Sequence, residues 1–330
     1  MKTCYLHMGL PKTGTTAFQE AVHAENIALL SEQHTLYPGA AANHTDALCT
    51  MFLPDPRTHI TNQMAGVTTE RQAEQLRQKT FSTMEKALSA SSWQTLLLSA
   101  EGASNLSDQP LANLRDWLGK WVDRVEVIYV VRHPIDFTVS VMQQMLKGGY
   151  TIDGMMENIP HPQFQSRLSR AFNVFGRERV RVLCYEDARN QPGGLIAALC
   201  GAMAIREPAC GRIVAAQRDA NESLPMLAAR TLDSMNRQRP LFINGKLNPK
   251  RTGREAGYLT RLQGSKFNLR TSEFNLIREV VADDTAWLEQ VVGIDYDLSK
   301  TTEPPEERYN SETIDSLALL ISDLANGQKK

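Results

Sequence analysis

The sequence predicts an α/β fold, a three-layer sandwich around a central parallel β-sheet. Short apolar runs at residues 4–9, 95–99, 125–131 and 179–185 read as strands, and segments with helical periodicity separate them. These runs are continuously apolar rather than alternating, the pattern of strands buried on both faces. With 330 residues, 42% of them hydrophobic and 22% charged, the chain is long enough to bury a large core.

Taken in order, residues 4–9 form a strand that runs into a Gly/Pro/Thr turn. Thr15 or Thr16 caps a helix expected to continue to about residue 30, with Phe18, Val22, Ile27 and Leu30 as its inner stripe. Residues 34–68 are rich in Pro, Asn, His, Thr and Ala and show no period; so long a connection is usually functional. Residues 69–90 read as a polar helix, and 95–99 as a buried strand. A helix near 108–121 leads into 125–131 (VEVIYVV), the strongest strand signal, after which Pro134 opens a helix reaching 147. A helix near 162–175 precedes the strand at 179–185, and a helix near 192–203 follows it. The part from 220 to 330 is mainly helical, with a basic loop at 245–270 and a last amphipathic helix near 311–325. The expected organisation is a single domain over 1–330.

A formal net charge of −1 gives no global field for nucleic acid or anionic membranes, so any polyanion site must be a local basic patch. The five cysteines are dispersed, without a C-x-x-C pair or zinc spacing, and read as reduced thiols. The N-terminal apolar stretch is too short for a signal sequence before Pro11 and Lys12 interrupt it, and no run of about 18 apolar residues occurs. A soluble cytoplasmic protein is the expectation.

Two strand-to-helix junctions carry chemistry. In the first, Gly9-Leu10-Pro11-Lys12-Thr13-Gly14-Thr15-Thr16, backbone N–H groups and a helix N-terminus form an anion cradle, and threonine hydroxyls add donors. The glycine spacing is that of a Walker A loop, but Thr15 stands where the lysine belongs and the only lysine, Lys12, lies inside the loop. In the second, a strand ends at Val131, Arg132-His133-Pro134 follows, and Ser140 comes eight residues after Arg132.

These segments resemble the PAPS-dependent sulfotransferase family (PAPS is 3'-phosphoadenosine 5'-phosphosulfate), and its bacterial members in particular. Pro11-Lys12-Thr13-Gly14-Thr15-Thr16 is similar to the family's 5'-phosphosulfate loop, with His7 and Gln19 also in keeping. Arg132, Pro134 and Ser140 are similar to its 3'-phosphate motif of a strand, R-x-P and a spaced serine. The resemblance implies a P-loop NTPase-like sulfotransferase fold, PAPS as donor, 3',5'-ADP as product, and no required metal. It implies donor contacts from Pro11, Lys12, Thr13, Gly14, Thr15, Thr16, Arg132 and Ser140, with Lys12 catalytic. The chemistry fits: a loose transition state puts charge on the leaving oxygen, which a cation stabilises. An arginine fork reads a phosphate through two parallel bonds.

A base must take the acceptor's proton, and two residues qualify. Glu101 follows the strand 95–99 at the ligand edge, within the Ser99-Ala100-Glu101 segment that resembles bacterial members. His44 lies in the irregular segment 34–68, which resembles an acceptor-side loop, and its near-neutral pKa suits the task. Glu101 is slightly favoured, and Ser99 either contacts the donor or orients it.

Lys246, Lys250, Arg251, Arg254, Arg261, Lys266 and Arg270 face only Glu255 in charge, and such a late basic loop closes over the nucleotide in sulfotransferases. Asn221-Glu222-Ser223 opens the preceding helix as a cap or as in bacterial relatives. The acceptor is expected to be a small molecule or glycan, although 7% aromatic content offers no clear sugar-stacking platform. The competing readings are a P-loop kinase or NTPase with atypical lysine placement, which would need Mg²⁺, and a non-catalytic nucleotide-binding protein.

Overall fold

The structure is a computed structural model that describes residues 1–216, 223–243, 246–260, 262, 265–299 and 311–327. Its centre is a five-stranded, wholly parallel sheet in the order β2-β3-β1-β4-β5. The strands are β1 (Thr3–His7), β2 (Thr35–Leu36), β3 (Thr95–Ser99), β4 (Arg124–Val131) and β5 (Val180–Cys184). β1 lies in the middle, with His7 opposite Ser99 on one side and Ile128 on the other. The chain leaves β1 toward β2 and leaves β4 toward β5, so the connections diverge between these neighbours. That divergence is the crevice where open α/β sheets bind ligands.

Alternation along the strands sends side chains to two covered faces. On one, Leu97, Ile128 and Val130 pack with Phe18 and Val22 of α1 (Thr15–Ala24), Leu29 of α2 (Asn26–Gln33), and Ile196 and Leu199 of the helix Gly194–Ala202. On the other, Leu96, Leu98, Val127 and Tyr129 are buried, and the helix Phe164–Phe175 packs against β4 and β5.

The first helix departs from expectation. It ends at Ala24 and a second begins at Asn26, so the apolar stripe changes register at Glu25. Ile27 is consequently 81% exposed, while Leu29 is fully buried in its place. The segment 34–68 contains β2, α3 (Thr45–Phe52), a 3₁₀ turn at Pro56–Thr58 and the helix Ile60–Met64. Elements this short do not span enough turns to print a period on the sequence.

The chain divides into two compact units. The first comprises Met1–Arg132 and Gln163–Ala220 and contains the whole five-stranded sheet; the second comprises His133–Pro162 and Asn221–Lys330. Within the second, the helices Pro134–Lys147, Met226–Gln238 and Thr271–Val292 contribute Met142, Leu146, Leu232, Met235, Ile277 and Val281 to one core.

Candidate active site

Met8 still bonds to β4, its N–H donating to Ile128 O at 2.9 Å, so the chain leaves the sheet at Gly9. A Cβ at Gly9 would stand 2.4 Å from His7 Nε2, which explains the glycine. Lys12 (φ 66°) and Gly14 (φ 74°) both adopt the left-handed conformation, and α1 begins immediately after Gly14. For lysine this costs about 1 kcal/mol, a strain that recurs at functional sites. Gly14, not a threonine, is the N-cap; it supplies no side-chain cap, and the first turn of α1 holds no acidic residue. The helix N-terminus therefore offers backbone N–H groups and the positive end of its dipole to an anion.

The threonine hydroxyls behave differently from expectation. Thr13 Oγ1 donates to Leu10 O at 2.6 Å, and Thr15 Oγ1 donates to Glu101 Oε2 at 2.5 Å. Both residues are buried, so their hydroxyls stabilise the loop, while Thr16 is exposed and Pro11 and Lys12 are half-buried.

Arg132 follows β4 directly and turns toward the loop, with Nη1 donating to Lys12 O at 3.0 Å. Its guanidinium sits 5.1 Å from the centre of the Tyr185 ring, a cation–π contact. Arg132 Nε is buried without a hydrogen-bond partner among the described residues. Such an orphan charged donor is costly, and an anionic ligand is one way to relieve the cost. Ser140 is half-buried on the helix Pro134–Lys147, in the second unit.

Glu101 opens a 3₁₀ turn (Glu101–Asn105) just beyond β3 and is half-buried. Since Thr15 bonds its Oε2, the structure brings the Glu101 carboxylate onto the Lys12 loop. Ser99 is 1% exposed, and its hydroxyl bonds to His7 Nδ1 at 2.8 Å and Gln19 Nε2 at 3.1 Å, so it orients neighbours instead of facing solvent. His44 is 3% exposed, and both ring nitrogens are engaged: Nε2 with Pro38 O at 2.7 Å, and Nδ1 with Ser99 N–H at 3.1 Å. Burial depresses its pKa to about 4, a backbone N–H aimed at Nδ1 fixes the neutral tautomer, and nothing in this geometry offers a nitrogen to an acceptor.

The basic stretch is heterogeneous. Arg251 is 2% exposed, pairs with the buried Glu255 at 3.1 Å, and donates to Arg239 O at 2.7 Å. It is thus an interior group of the second unit. Lys246, Lys250, Arg254, Lys266 and Arg270 are exposed, whereas Arg261, Asn221 and Glu222 lie outside the described residues.

Sequence reasoning missed Tyr185 and Arg167. Tyr185 starts a helix immediately after β5, so its position at the ligand edge was readable, but it passed for the last residue of the strand. Arg167 Nη1 donates at 3.1 Å to Ser104 Oγ, which donates at 2.7 Å to Glu101 O; this pairing joins distant segments and leaves no local signal. Among the described residues no cluster of three or more His, Cys, Asp or Glu suits a metal ion, and no helix is long and apolar enough to cross a membrane.

Comparison with known proteins adds the following. No curated protein matches the chain. A sulfotransferase from Alicyclobacillus acidocaldarius aligns over 90% of this chain and 98% of its own, with 12% identity and a TM-score of 0.46. The sulfotransferase domain from the curacin biosynthetic pathway aligns over 96% of this chain and 97% of its own, with 14% identity and a TM-score of 0.33. A family model described as "Sulfotransferase family" matches residues 7–207, a range that starts at the last residue of β1, holds the other four strands, the Lys12 loop, Glu101 and Arg132, and amounts to well over half of the 330 residues. The chain therefore belongs to the sulfotransferase family.

Proposed function

We propose that the protein transfers the sulfuryl group of PAPS to a hydroxyl or amine of a small-molecule or glycan acceptor. The observation that carries this reading is the meeting, at one sheet edge, of an uncapped helix N-terminus, Lys12, Arg132 and the Glu101 carboxylate. Cations and a helix dipole suit an anionic donor, and a carboxylate beside them suits the removal of a proton.

In this reading the 5'-phosphosulfate lies against the N–H groups that open α1, with Pro11, Thr13, Gly14, Thr15 and Thr16 shaping the loop. Arg132, fixed by Tyr185 and by Lys12 O, reads the 3'-phosphate. Glu101, with Oε2 held by Thr15, takes the acceptor's proton as the new bond from the acceptor's oxygen or nitrogen to sulfur forms. The bond from sulfur to the 5'-phosphate oxygen breaks, and Lys12 stabilises the charge left on that oxygen. These residues supply the positive charge, so the reaction needs no metal. None of the five cysteines is in a disulfide, which fits a reducing compartment, the cytoplasm of a bacterium.

Incubation with sulfur-labelled PAPS in EDTA, followed by fractionation of acceptor mixtures, tests the proposal. Label moving to an acceptor with release of 3',5'-ADP supports it; label that stays on PAPS with every fraction tried speaks against it.

A further inference from the structure

We propose that His44 and Thr45 form a clasp that positions Glu101, with His44 acting as a positioning residue through its backbone and ring hydrogen bonds to Ser99. This rests on the reading of Glu101 as the base of a sulfuryl transfer.

The need for a clasp arises in the sheet. The β2–β3 ladder ends where Leu36 meets Leu96, so β3 has no strand partner on that side at Ser99. A bare N–H and C=O there would be buried without partners, which is costly. His44 supplies both: its backbone N–H donates to Ser99 O at 2.9 Å, and its Nδ1 accepts from Ser99 N–H at 3.1 Å. One residue thus stands in for a missing strand. The ring is held in turn by Pro38 O on Nε2 and by Tyr37, whose ring centre lies 4.6 Å away. A proton on Nδ1 would face the Ser99 N–H donor to donor, so the clasp works only with neutral imidazole.

Thr45 completes the grip. Its Oγ1 accepts from Gly102 N–H at 3.0 Å, and a Cβ at Gly102 would lie 2.2 Å from Thr45 Cγ2, so only glycine lets the two backbones approach this closely. The main chain is therefore held at Ser99 and at Gly102, on either side of Glu101. His7 and Gln19 fix Ser99 from its hydroxyl, and Ser104 fixes the Glu101 carbonyl. What remains to Glu101 is its side chain, which meets Thr15 on the Lys12 loop. Residues 38–45 consequently set the position of the base relative to the donor loop, and a shift of about 1 Å at a base costs about 10²-fold in rate.

The test compares His44→Ala with His44→Asn, whose Oδ1 can take the place of Nδ1 as acceptor for Ser99 N–H. Turnover at saturating donor, its pH profile, affinity for 3',5'-ADP and thermal stability are measured for each. The clasp predicts that His44→Ala loses about 10²-fold in kcat and that His44→Asn recovers to within about tenfold of wild type. Both should bind 3',5'-ADP as wild type does, and the acid limb of the His44→Asn profile should persist. Equal inactivity of the two variants, with loss of that limb, makes His44 the base and overturns the inference. Unchanged kcat in a less stable His44→Ala reduces the clasp to a structural role and also overturns it. Should His44→Ala not fold, Thr45→Val and Thr45→Ser decide: Val should lose about tenfold or more in kcat and Ser should keep it, while equal kcat overturns the clasp. Wild-type protein that transfers no sulfuryl group sinks the reading of the site itself and the clasp with it. The outcome that makes His44 the base also displaces Glu101 from that role but leaves the sulfuryl transfer standing, and the remaining outcomes touch only the clasp.

Discussion

Arg132 donates a hydrogen bond to the carbonyl of Lys12, at 3.0 Å across 120 residues of sequence. The contact ties the end of β4 to the loop after β1, at the divergence of the sheet's connections. The bond uses the main chain of Lys12, so the arginine braces the loop at the residue whose left-handed backbone turns it. The consequences for measurement follow from this arrangement.

Lys12→Ala should reduce kcat by about 10²–10³-fold, since in the proposed reaction it removes the charge that stabilises the leaving oxygen. Stability should change by no more than about 1 kcal/mol, because Ala and Lys suffer similar strain in the left-handed conformation that Lys12 adopts. Sulfur-label transfer and a urea melt on the same preparation check both.

Glu101→Gln should lower kcat by about 10²–10⁴-fold and leave the affinity for 3',5'-ADP within about twofold. The amide oxygen can keep the bond from Thr15, so the loop stays in place and what is lost is the proton acceptor of the proposed reaction. Steady-state kinetics with calorimetry separates the two quantities.

Folding stability should fall as pH drops from about 6.5 toward 4. Burial holds His7 and His44 neutral in the native state, with pKa values of about 4, while the unfolded chain protonates both near 6.5. Between those values the unfolded state binds more protons, so stability is full above the unfolded pKa and declines to a plateau below the native one. Two such shifts place the loss on the order of a few kcal/mol. Denaturant titrations at pH 7, 5.5 and 4.5 measure it, and His44→Asn should show a shallower decline.

Arg251→Met should destabilise the protein by about 3–5 kcal/mol, because it leaves the Glu255 carboxylate buried without its cation. Affinity for 3',5'-ADP should not change, since Arg251 is engaged with Glu255, Asn236 and Arg239 O. Urea melts and calorimetry report the two effects.

Four of the five strands and the Lys12 loop were legible because they are local: an apolar run, a glycine turn and a helix start occupy adjacent residues, whereas the two residues of β2 leave no such run. The split at Glu25 was not, since one residue of non-helical backbone exposes Ile27 without disturbing the apolar composition. Glu101 could be placed at a strand end, but its bond to Thr15 spans 86 residues and depends on which strands become neighbours. His44 looked like a free loop imidazole because its burial follows from β2 stopping at Leu36. Arg251 is written in the same basic stretch as exposed lysines, and only packing on the helix Met226–Gln238 distinguishes it.

The most direct measurement is calorimetric comparison of 3',5'-ADP with 5'-AMP, on wild type and on Arg132→Ala. A guanidinium that grips the 3'-phosphate contributes about 2–3 kcal/mol, so wild type should prefer 3',5'-ADP by about 30- to 150-fold and Arg132→Ala should lose most of that preference. Equal affinity of wild type for the two nucleotides would contradict the assignment of Arg132 and remove the basis for PAPS as donor.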